Sequence, residues 1–512
     1  MNYEVMAFAL YFVAMLTIGI VFFVKSRNNS NEKEYFLGGR SMGPWVTAMS
    51  AQASDMSAWL LMGLPGSIIA FGLGQAWIGI GLAIGTALNW IIVAKRLRKF
   101  SAAAGDSITM PQYLTNRFMA KSPALKIICA VVFLVSFTIY VASAFSAGSQ
   151  VFVQLFPSLN PTTAMIIFAA IILVYTFFGG YKAVCWTDFF QGLLMLVALL
   201  AVPIMIVFID SNGHIEPSLL SQAVTGSVTG SEYKFVASFL DATPQEILSG
   251  LGWGLGYFGM PHILVRFMSI EKPSMVKKSA IVAIIWVVIT LASAIAIAYF
   301  GRMYLMDTGV AFADMLLGEM DSQELIFVVL TRKLFTPFIA GILLAAIIAA
   351  SMSTADSQLL VASSSFTSDI YKPMLRKNAS EKEILWVGRI VVIIVSIVAF
   401  FIANSKGEGA AMIMSLVSNA WALFGAAFGP VILLSLFWKR YTYKGAIAGI
   451  VVGAVVDIVW LVYFSASTGI YEIIPGFIAA LIASVIVTLA DKKPSAEVEA
   501  IYDKATDKTI DA

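Results

Sequence analysis

The chain has 512 residues, of which 59% are hydrophobic and 12% are charged, and its mean hydropathy is +0.87. A soluble globular protein averages about 25% charged residues, so this composition excludes that class and predicts a protein embedded in a lipid bilayer. The formal net charge of +3 gives no indication of a nucleic-acid partner. The apolar runs lack the two-residue alternation of a transmembrane β-barrel, so we expect an all-α polytopic protein.

Thirteen apolar runs are predicted to cross the membrane, because most of them reach the roughly 20 residues that a spanning helix needs. In chain order the predicted spans 1 to 13 cover residues 3–25, 44–70, 74–95, 126–155, 162–180, 187–208, 246–268, 279–301, 336–365, 385–404, 410–438, 444–466 and 472–490. If these spans alternate in direction, most of the 33 Lys and Arg residues fall on one side, which the positive-inside rule identifies as cytoplasmic.

This alternation predicts a multi-pass protein of the plasma or inner membrane, with the N-terminus outside and the C-terminus in the cytoplasm. The first span lacks a basic leader and a convincing cleavage site, so we expect no cleaved signal peptide. The polar tail after Lys493 is expected to be loosely ordered.

Predicted span 2 contains the stretch AQASDMSAWLLMGLPG, residues 51–66, which combines Asp55 with several hydroxyls and with Pro65. A charge at the centre of a spanning helix costs about 2.5–3.5 kcal/mol on insertion scales. Proline and glycine weaken the helix, and carbonyls that are freed at membrane depth need a partner. The stretch therefore predicts a broken helix that presents backbone groups inside the membrane. A simple proline kink with self-bonded hydroxyls is the alternative.

Predicted span 7 contains a second interruption, GLGWGLGYFGMPHILVRF, residues 250–267. Trp253 and Tyr257 are four residues apart and therefore share one helical face, and Pro261 follows one turn later. Aromatic side chains beside an opened helix suit the wall of a small-molecule pocket. A small-residue face for close helix packing is the alternative reading of the glycines.

Predicted span 9 carries many oxygens on an apolar background in AAIIAASMSTADSQLLVASSS, residues 345–365. These oxygens belong to Ser351, Ser353, Thr354, Asp356, Ser357 and Ser363–Ser365. Neutral oxygens that face free backbone carbonyls suit a hard monovalent cation, although hydroxyls can also bond to their own helix. Asp188 and Arg266 lie near the ends of their predicted spans, where snorkelling to the head groups explains them as well as a function does.

The two interruptions open consecutive blocks of five spans, which are residues 44–208 and 246–438. Because five is odd, the second block enters the membrane from the opposite side, and the two blocks form inverted repeats. Interrupted helices at matching positions of inverted halves indicate the binding site of a secondary transporter. The predicted organisation is completed by a first helix and loop (1–43), an extracytoplasmic loop (209–245), two peripheral helices (439–491) and a cytoplasmic tail (492–512).

Four stretches, taken together, resemble the solute:sodium symporter family along nearly the whole chain: YFLGGRSMGPWVTAMSAQASDMSAWLLMGLPG, YTFFGGYKAVCWTDFFQG, GWGLGYFGMPHI and AASMSTADSQLL. The resemblance implies a five-plus-five inverted-repeat core of the LeuT type. It implies secondary active transport by alternating access, with Na⁺ as the coupling ion and L-proline as the expected solute. It implies no enzymatic activity and no obligate protein partner.

The resemblance also implies roles for individual residues. The Na⁺ ligands would be the backbone carbonyls of Ala53, Met56 and Ala350 and the side-chain oxygens of Ser353 and Thr354. The solute pocket would be formed by Ser57, Tyr140, Trp253, Tyr257 and Pro261. Three residues would serve coupling: Asp55 by tuning the field at the ion, Asp188 on the inward sodium route, and Arg40 on the cytoplasmic side.

Several alternatives stay open at this stage. Gln52, Ala58 and Met260 depart from the family motifs, so the solute could be another amino acid, a sugar or a pantothenate-like carboxylate. A proton-coupled carrier could use Asp55 or Asp356 as its titrating group. The chain shows no signalling domain or pore-loop repeat that would indicate a receptor or a channel, and no motif of a membrane-embedded enzyme.

Overall fold

A computed structural model describes residues 3–26, 31–178, 180–209, 238–307, 323–405 and 413–507. Most of the predicted extracytoplasmic loop 209–245 lies outside these residues. Within the described ranges the backbone forms helices and short connections, with one isolated parallel bridge between Met42 and Ile270. The all-α prediction is therefore confirmed.

The helices are numbered here in chain order. Those of the first half are α1 (Tyr3–Ser26), α2 (Glu32–Leu37), α3 (Pro44–Asp55), α4 (Gly63–Phe71), α5 (Ala76–Leu88), α6 (Lys95–Ala103), α7 (Met110–Arg117), α8 (Ala124–Leu155), α9 (Pro161–Phe178) and α10 (Tyr181–Ile209). Those of the second half are α11 (Pro244–Gly252), α12 (Pro261–Ser269), α13 (Val276–Asp307), α14 (Ile326–Leu334), α15 (Pro337–Phe366), α16 (Glu381–Ser405), α17 (Ile413–Phe437), α18 (Tyr443–Tyr463), α19 (Ser465–Thr468), α20 (Ile473–Ala490) and α21 (Ala496–Thr506).

Ten helical runs in the described part of the chain are long and apolar enough to cross a membrane. They are α1, α5 with α6, α8, α10, α13, α15, α16, α17, α18 and α20. Three of the thirteen predicted spans are absent from this set. Span 5 corresponds to the shorter helix α9, and spans 2 and 7 are each divided into two helices. The total of thirteen crossings therefore stays a prediction.

The break in span 2 lies earlier than its proline suggests. Helix α3 ends at Asp55, Met56 has a non-helical ψ of 75°, and Ser57 is extended. Pro65 lies in the first turn of α4, where a missing N–H leaves no intrahelical hydrogen bond unmade. Gly66 is needed for close packing, because a Cβ there would lie 2.9 Å from the Gln323 carbonyl oxygen. The polar residues, rather than the Gly-Leu-Pro-Gly sequence, mark the opening.

The glycines of span 7 fit both interpretations, because the helix is interrupted there and the segment also packs closely against its neighbour. Helix α11 ends at Gly252, a 3-10 helix runs over Trp253–Phe258, and α12 begins at Pro261. The glycines also permit close packing, because a Cβ on Gly254 would lie 2.4 Å from the Gly81 carbonyl oxygen. The span is therefore both opened and tightly packed against α5.

The core of the protein surrounds the two breaks. Helix α15 is buried along nearly its whole length and contacts α1, α8, α10 and α3. Helix α3 also contacts α10, α12 and α13. The hydroxyl-rich helix and the broken span 2 are thus direct neighbours inside the protein, away from lipid.

The expectation of a loosely ordered tail is wrong for Ala496–Thr506, which form helix α21. Ser495 caps the N-terminus of α21, and Val498 and Ala505 are buried. Arg96 donates to the Tyr502 hydroxyl at 2.9 Å, and Arg117 donates to the Val498 carbonyl at 3.3 Å. The apolar residues of the tail are spaced along one face of a helix, and the half-buried Arg96 and the buried Arg117 hold that helix against α6 and α7.

Candidate ion and solute site

Three of the five predicted sodium ligands, Ala53, Ala350 and Ser353, meet where α3 ends beside α15. The Ser353 hydroxyl donates to the Ala53 carbonyl at 2.8 Å and to the Ala350 carbonyl at 3.1 Å. Met56 and Thr354 are also fully buried, and the Thr354 hydroxyl has no hydrogen-bond partner among the described residues. Carbonyls at an unwound helix end, together with hydroxyls of a facing helix, form an oxygen-rich setting of the kind that holds Na⁺ in transporters.

Asp55 links the end of α3 to the residues that are predicted to form the solute pocket. Its carboxylate accepts a hydrogen bond from the Tyr257 hydroxyl at 2.6 Å through Oδ2, and Oδ1 has no partner among the described residues. The Tyr140 hydroxyl donates to the Asp55 backbone carbonyl at 3.4 Å. Tyr140 of span 4 and Tyr257 of span 7 therefore both contact Asp55 of span 2. The bond between Tyr257 and Asp55 links the two breaks directly.

The aromatic wall of the site is larger than the sequence predicts. The Trp253 ring stacks on Tyr471 with centroids 5.1 Å apart and on Trp421 at 6.5 Å, and Trp59 lies at 6.3 Å. Tyr257 meets Trp421 edge-on at 5.0 Å. Trp59, Trp421 and Tyr471 were missed, because single aromatic residues in apolar spans give no periodic signal. Of these three residues, Trp59 is the one that lies within the polar stretch of residues 51–66 and is therefore close to a predicted break.

Ser57 and Pro261 each lie just after one of the two breaks. The Ser57 hydroxyl accepts the Trp59 N–H at 3.4 Å and so caps the short 3-10 turn after the break. Pro261 is the first residue of α12, preceded by Met260 in an extended conformation. An N-terminus of this kind carries positive partial charge, so the second break offers a setting for an anionic group.

Asp188 forms a buried network with a residue whose role the sequence left open. Arg266 lies 3.1 Å from Asp188 Oδ2, which also accepts the Ser50 hydroxyl at 2.6 Å. Arg266 donates to the Ser357 hydroxyl at 2.5 Å and lies over the Tyr181 ring. Both members of the ion pair are fully buried, so snorkelling to the head groups is the wrong explanation for them. The network connects α3, α10, α12 and α15.

Arg40 precedes α3, whereas Asp55 is the last of the 12 residues of that helix, which is about 18 Å long. The Arg40 guanidinium donates to Asp106 at 2.7 Å, to the Ser101 hydroxyl at 3.0 Å and to the Met268 carbonyl at 2.5 Å. A fourth bond reaches the Ser107 carbonyl at 2.8 Å. Arg40 therefore joins the segment before α3 to three places: the end of α12, the end of α6, and the loop that follows α6.

Replacing Tyr257 by phenylalanine is expected to weaken sodium activation of transport by about tenfold, because a buried carboxylate loses a short hydrogen bond of the charge-assisted kind. The Tyr441→Phe variant is the matched control, since its buried hydroxyl contacts the Ser484 hydroxyl at 3.0 Å and no residue of the predicted ion or solute site, and we expect a change below about threefold. Uptake measured against sodium concentration checks both. Equal effects of the two variants would contradict the role assigned to the Tyr257–Asp55 bond.

Comparison with known proteins places the chain among membrane transporters. The model of the sodium:solute symporter family matches residues 35–453. The sodium/proline symporter of Haemophilus influenzae is 42% identical over 507 residues, which cover 98% of this chain and 97% of that protein. The sodium/proline symporter of Escherichia coli is 43% identical over 500 residues, which cover 97% and 95%.

Solved structures agree on the fold. A substrate-bound, outward-open Na⁺-coupled sialic acid symporter aligns with a TM-score of 0.75 at 22% identity, covering 96% of this chain and 99% of that one. MhsT in complex with L-phenylalanine aligns with a TM-score of 0.54 at 16% identity, covering 87% and 98%. The predicted fold, with its LeuT-type core, is confirmed by these alignments.

Proposed function

Because the chain belongs to the sodium:solute symporter family, we propose that it couples inward movement of Na⁺ to uptake of L-proline. The observation that carries this proposal is the 42–43% identity, over 97–98% of the chain, to relatives named sodium/proline symporters. The protein would act in the plasma or inner membrane, with its N-terminus outside and its C-terminus in the cytoplasm.

Na⁺ would lie between the end of α3 and the middle of α15. Its ligands would be the carbonyls of Ala53, Met56 and Ala350 and the hydroxyls of Ser353 and Thr354. The 2.8 Å contact between Ser353 and the Ala53 carbonyl supports this assignment, because it brings the two halves of the ligand set together. Asp55 would tune the field at the ion from the solute side.

Proline would lie beside the second break. Its ring would stack on Trp253 and Tyr257, and its secondary ammonium would sit near an aromatic face, which attracts cations. Its carboxylate would lie at the N-terminus of α12, where Pro261 begins the helix, because such an end attracts anions. Ser57 and Tyr140 would complete the pocket from spans 2 and 4.

The available driving force is sufficient for accumulation. One Na⁺ that crosses about 100 mV gains roughly 2.3 kcal/mol, and a tenfold sodium gradient adds about 1.4 kcal/mol. With one Na⁺ per proline, the sum of about 3.7 kcal/mol sustains a solute ratio of several hundredfold. Coupling is reciprocal, so Na⁺ must tighten proline binding by the same factor by which proline tightens Na⁺ binding.

Alternating access would arise when spans 2, 3, 7 and 8 rock against the remaining helices. We call this set, which comprises α3 to α6 and α11 to α13, the rocking group. Its members are joined near the start of α3: the Met42 N–H donates to the Ser269 carbonyl at 3.2 Å, and Arg98 donates to the Ile270 carbonyl at 2.5 Å. The Ser279 hydroxyl donates to the Pro44 carbonyl at 3.0 Å. These bonds support movement as one unit.

Uptake of radiolabelled proline into proteoliposomes tests the proposal. We expect accumulation above the outside concentration with an inward sodium gradient, and its loss when choline replaces sodium at fixed pH. Accumulation that follows a proton gradient without sodium would overturn sodium coupling. Competition by a panel of amino acids, sugars and pantothenate identifies the solute, and failure of unlabelled proline to compete would overturn the assignment of proline.

A further inference from the structure

The segment that leads into α3 is held at two places by different parts of the protein. Near its start, Glu32 on α2 forms an ion pair with Lys372, and its backbone N–H donates to the Glu381 carboxylate at 2.9 Å. Glu34 forms an ion pair with Lys182. Lys372 follows α15, Glu381 begins α16 and Lys182 lies in α10, so this first anchor belongs to helices outside the rocking group.

The second anchor is Arg40, and all its partners lie in or beside the rocking group. It bonds to Ser101 on α6, to Asp106 and Ser107 in the loop that follows α6, and to the Met268 carbonyl near the end of α12. Burial raises the pKa of Asp106, but Lys33 and Arg40 outweigh it, so the pKa of that carboxyl lies below its usual range. The second anchor is therefore charged at neutral pH.

The backbone between the two anchors has an unusual conformation. Gly38 and Gly39 both have φ of +62°, and Arg40 follows with φ of +54°. L-residues rarely adopt this left-handed region, whereas glycine enters and leaves it easily. A Cβ on Gly39 would also lie 2.3 Å from Glu34 Oε2, so a side chain here would disturb the first anchor as well.

Space remains between the anchors. A cavity of about 480 Å³ is lined by Glu32 and Lys372 of the first anchor and by Asp106 of the second, with Lys126, Gln112 and Ser368 between them. Lys33 of α2 also forms an ion pair with Asp106, and both side chains are more than two-fifths exposed. This pair links α2, which precedes the glycines, to the loop that follows α6. Because both side chains are exposed, the pair contributes little to the free energy of folding. On the side of the segment that faces this cavity, an exposed ion pair rather than a layer of packed side chains therefore joins the two anchored parts.

We propose that residues 31–43 form a two-anchor strap, in which Gly38 and Gly39 are a hinge between the rocking group and the remaining helices. Asp106 is a positioning residue, which fixes Arg40 to the rocking group while the hinge flexes. This inference rests on the proposed function, since it describes how that transport cycle moves. It predicts that both anchors hold throughout the cycle and that the glycines change conformation.

The first test compares Gly39→Ala with Gly43→Ala in proteoliposomes. Gly43 lies in the same segment, but it has φ of −71° and no atom within 4 Å of a Cβ, so alanine there is expected to leave turnover within about twofold. Alanine at position 39 is expected to lower maximal proline uptake by about tenfold, because it penalises the left-handed conformation. Sodium-dependent proline binding is expected to stay within about twofold of the parent.

Turnover of Gly39→Ala equal to that of Gly43→Ala would overturn the hinge. A parent protein without sodium-dependent proline binding would instead overturn the proposed function, so the two failures are distinguishable. If Gly39→Ala does not fold, Gly38→Ala replaces it, because Gly38 also has φ of +62° and a Cβ there would lie no closer than 3.1 Å to another atom. We then expect maximal uptake below that of Gly43→Ala, and equal turnover of these two variants would overturn the hinge.

The second test covalently closes the first anchor. Cysteines replace Glu32 and Lys372 in a background without Cys129 and Cys185, which are both buried, and a short bifunctional thiol reagent links them. Because the anchor is expected to hold throughout the cycle, uptake should stay within about twofold of the unlinked sample. Loss of uptake on linking, with binding retained, would show that this contact must open and would overturn the strap.

Discussion

Replacing Thr354 by alanine is expected to raise the sodium concentration for half-maximal proline uptake by about tenfold or more. The Thr354 hydroxyl is buried and has no hydrogen-bond partner among the described residues, so its removal breaks no hydrogen bond within that part of the chain. A polar atom that contacts an ion is worth about 1.5 kcal/mol or more, and 1.4 kcal/mol corresponds to a factor of ten. Sodium titration of initial uptake rates in proteoliposomes measures the effect.

Two variants of α15 serve as controls for this result. Thr354→Ser keeps the oxygen and is expected to stay near the parent. Ser351→Ala removes a hydroxyl that donates to its own helix, at the Ile347 carbonyl, at 2.9 Å, and we expect a change below about threefold. Unchanged sodium dependence in Thr354→Ala would remove this residue from the ion site. An equal shift in Ser351→Ala would mean that α15 responds as a whole.

Replacing Asp188 by asparagine is expected to abolish uptake and to lower thermal stability in detergent. The carboxylate neutralises Arg266 across 3.1 Å inside the protein, and asparagine leaves that charge without a counterion. Removing one partner of a buried ion pair costs about 3–5 kcal/mol. This free-energy cost is larger than that of losing any single hydrogen bond in the site, so we expect the midpoint temperature of unfolding to fall by several degrees.

The double variant Asp188→Asn/Arg266→Gln separates stability from coupling. With both charges removed, we expect the midpoint to recover, while sodium-dependent uptake stays absent. Lys444→Gln is the matched surface control, because its pair with Asp491 at 2.9 Å is exposed on the lysine side and such pairs are worth about 0–1 kcal/mol. Full uptake by Asp188→Asn would contradict a role of this pair in coupling.

Much of the candidate site was predictable because a membrane makes polar residues costly. Asp55 and the hydroxyls around Ser353 stand out only against the apolar runs that surround them. The pairing of spans 2 and 9 came from the family resemblance, and the structure places Ser353 against the Ala53 carbonyl. The position of the first break was less well predicted, because the helix ends at its polar residues, ahead of Pro65.

The membrane class, the two interrupted spans and the helix rich in oxygens could be predicted from the amino-acid sequence, because they follow from hydrophobicity and from local backbone chemistry. Three findings needed the folded protein: Arg266 neutralises Asp188, Tyr471 and Trp421 extend the aromatic wall, and Arg40 joins the segment before α3 to α6 and α12. Such partners lie tens to hundreds of residues apart in the chain. Their contacts depend on how helices pack in three dimensions, which local sequence patterns do not encode.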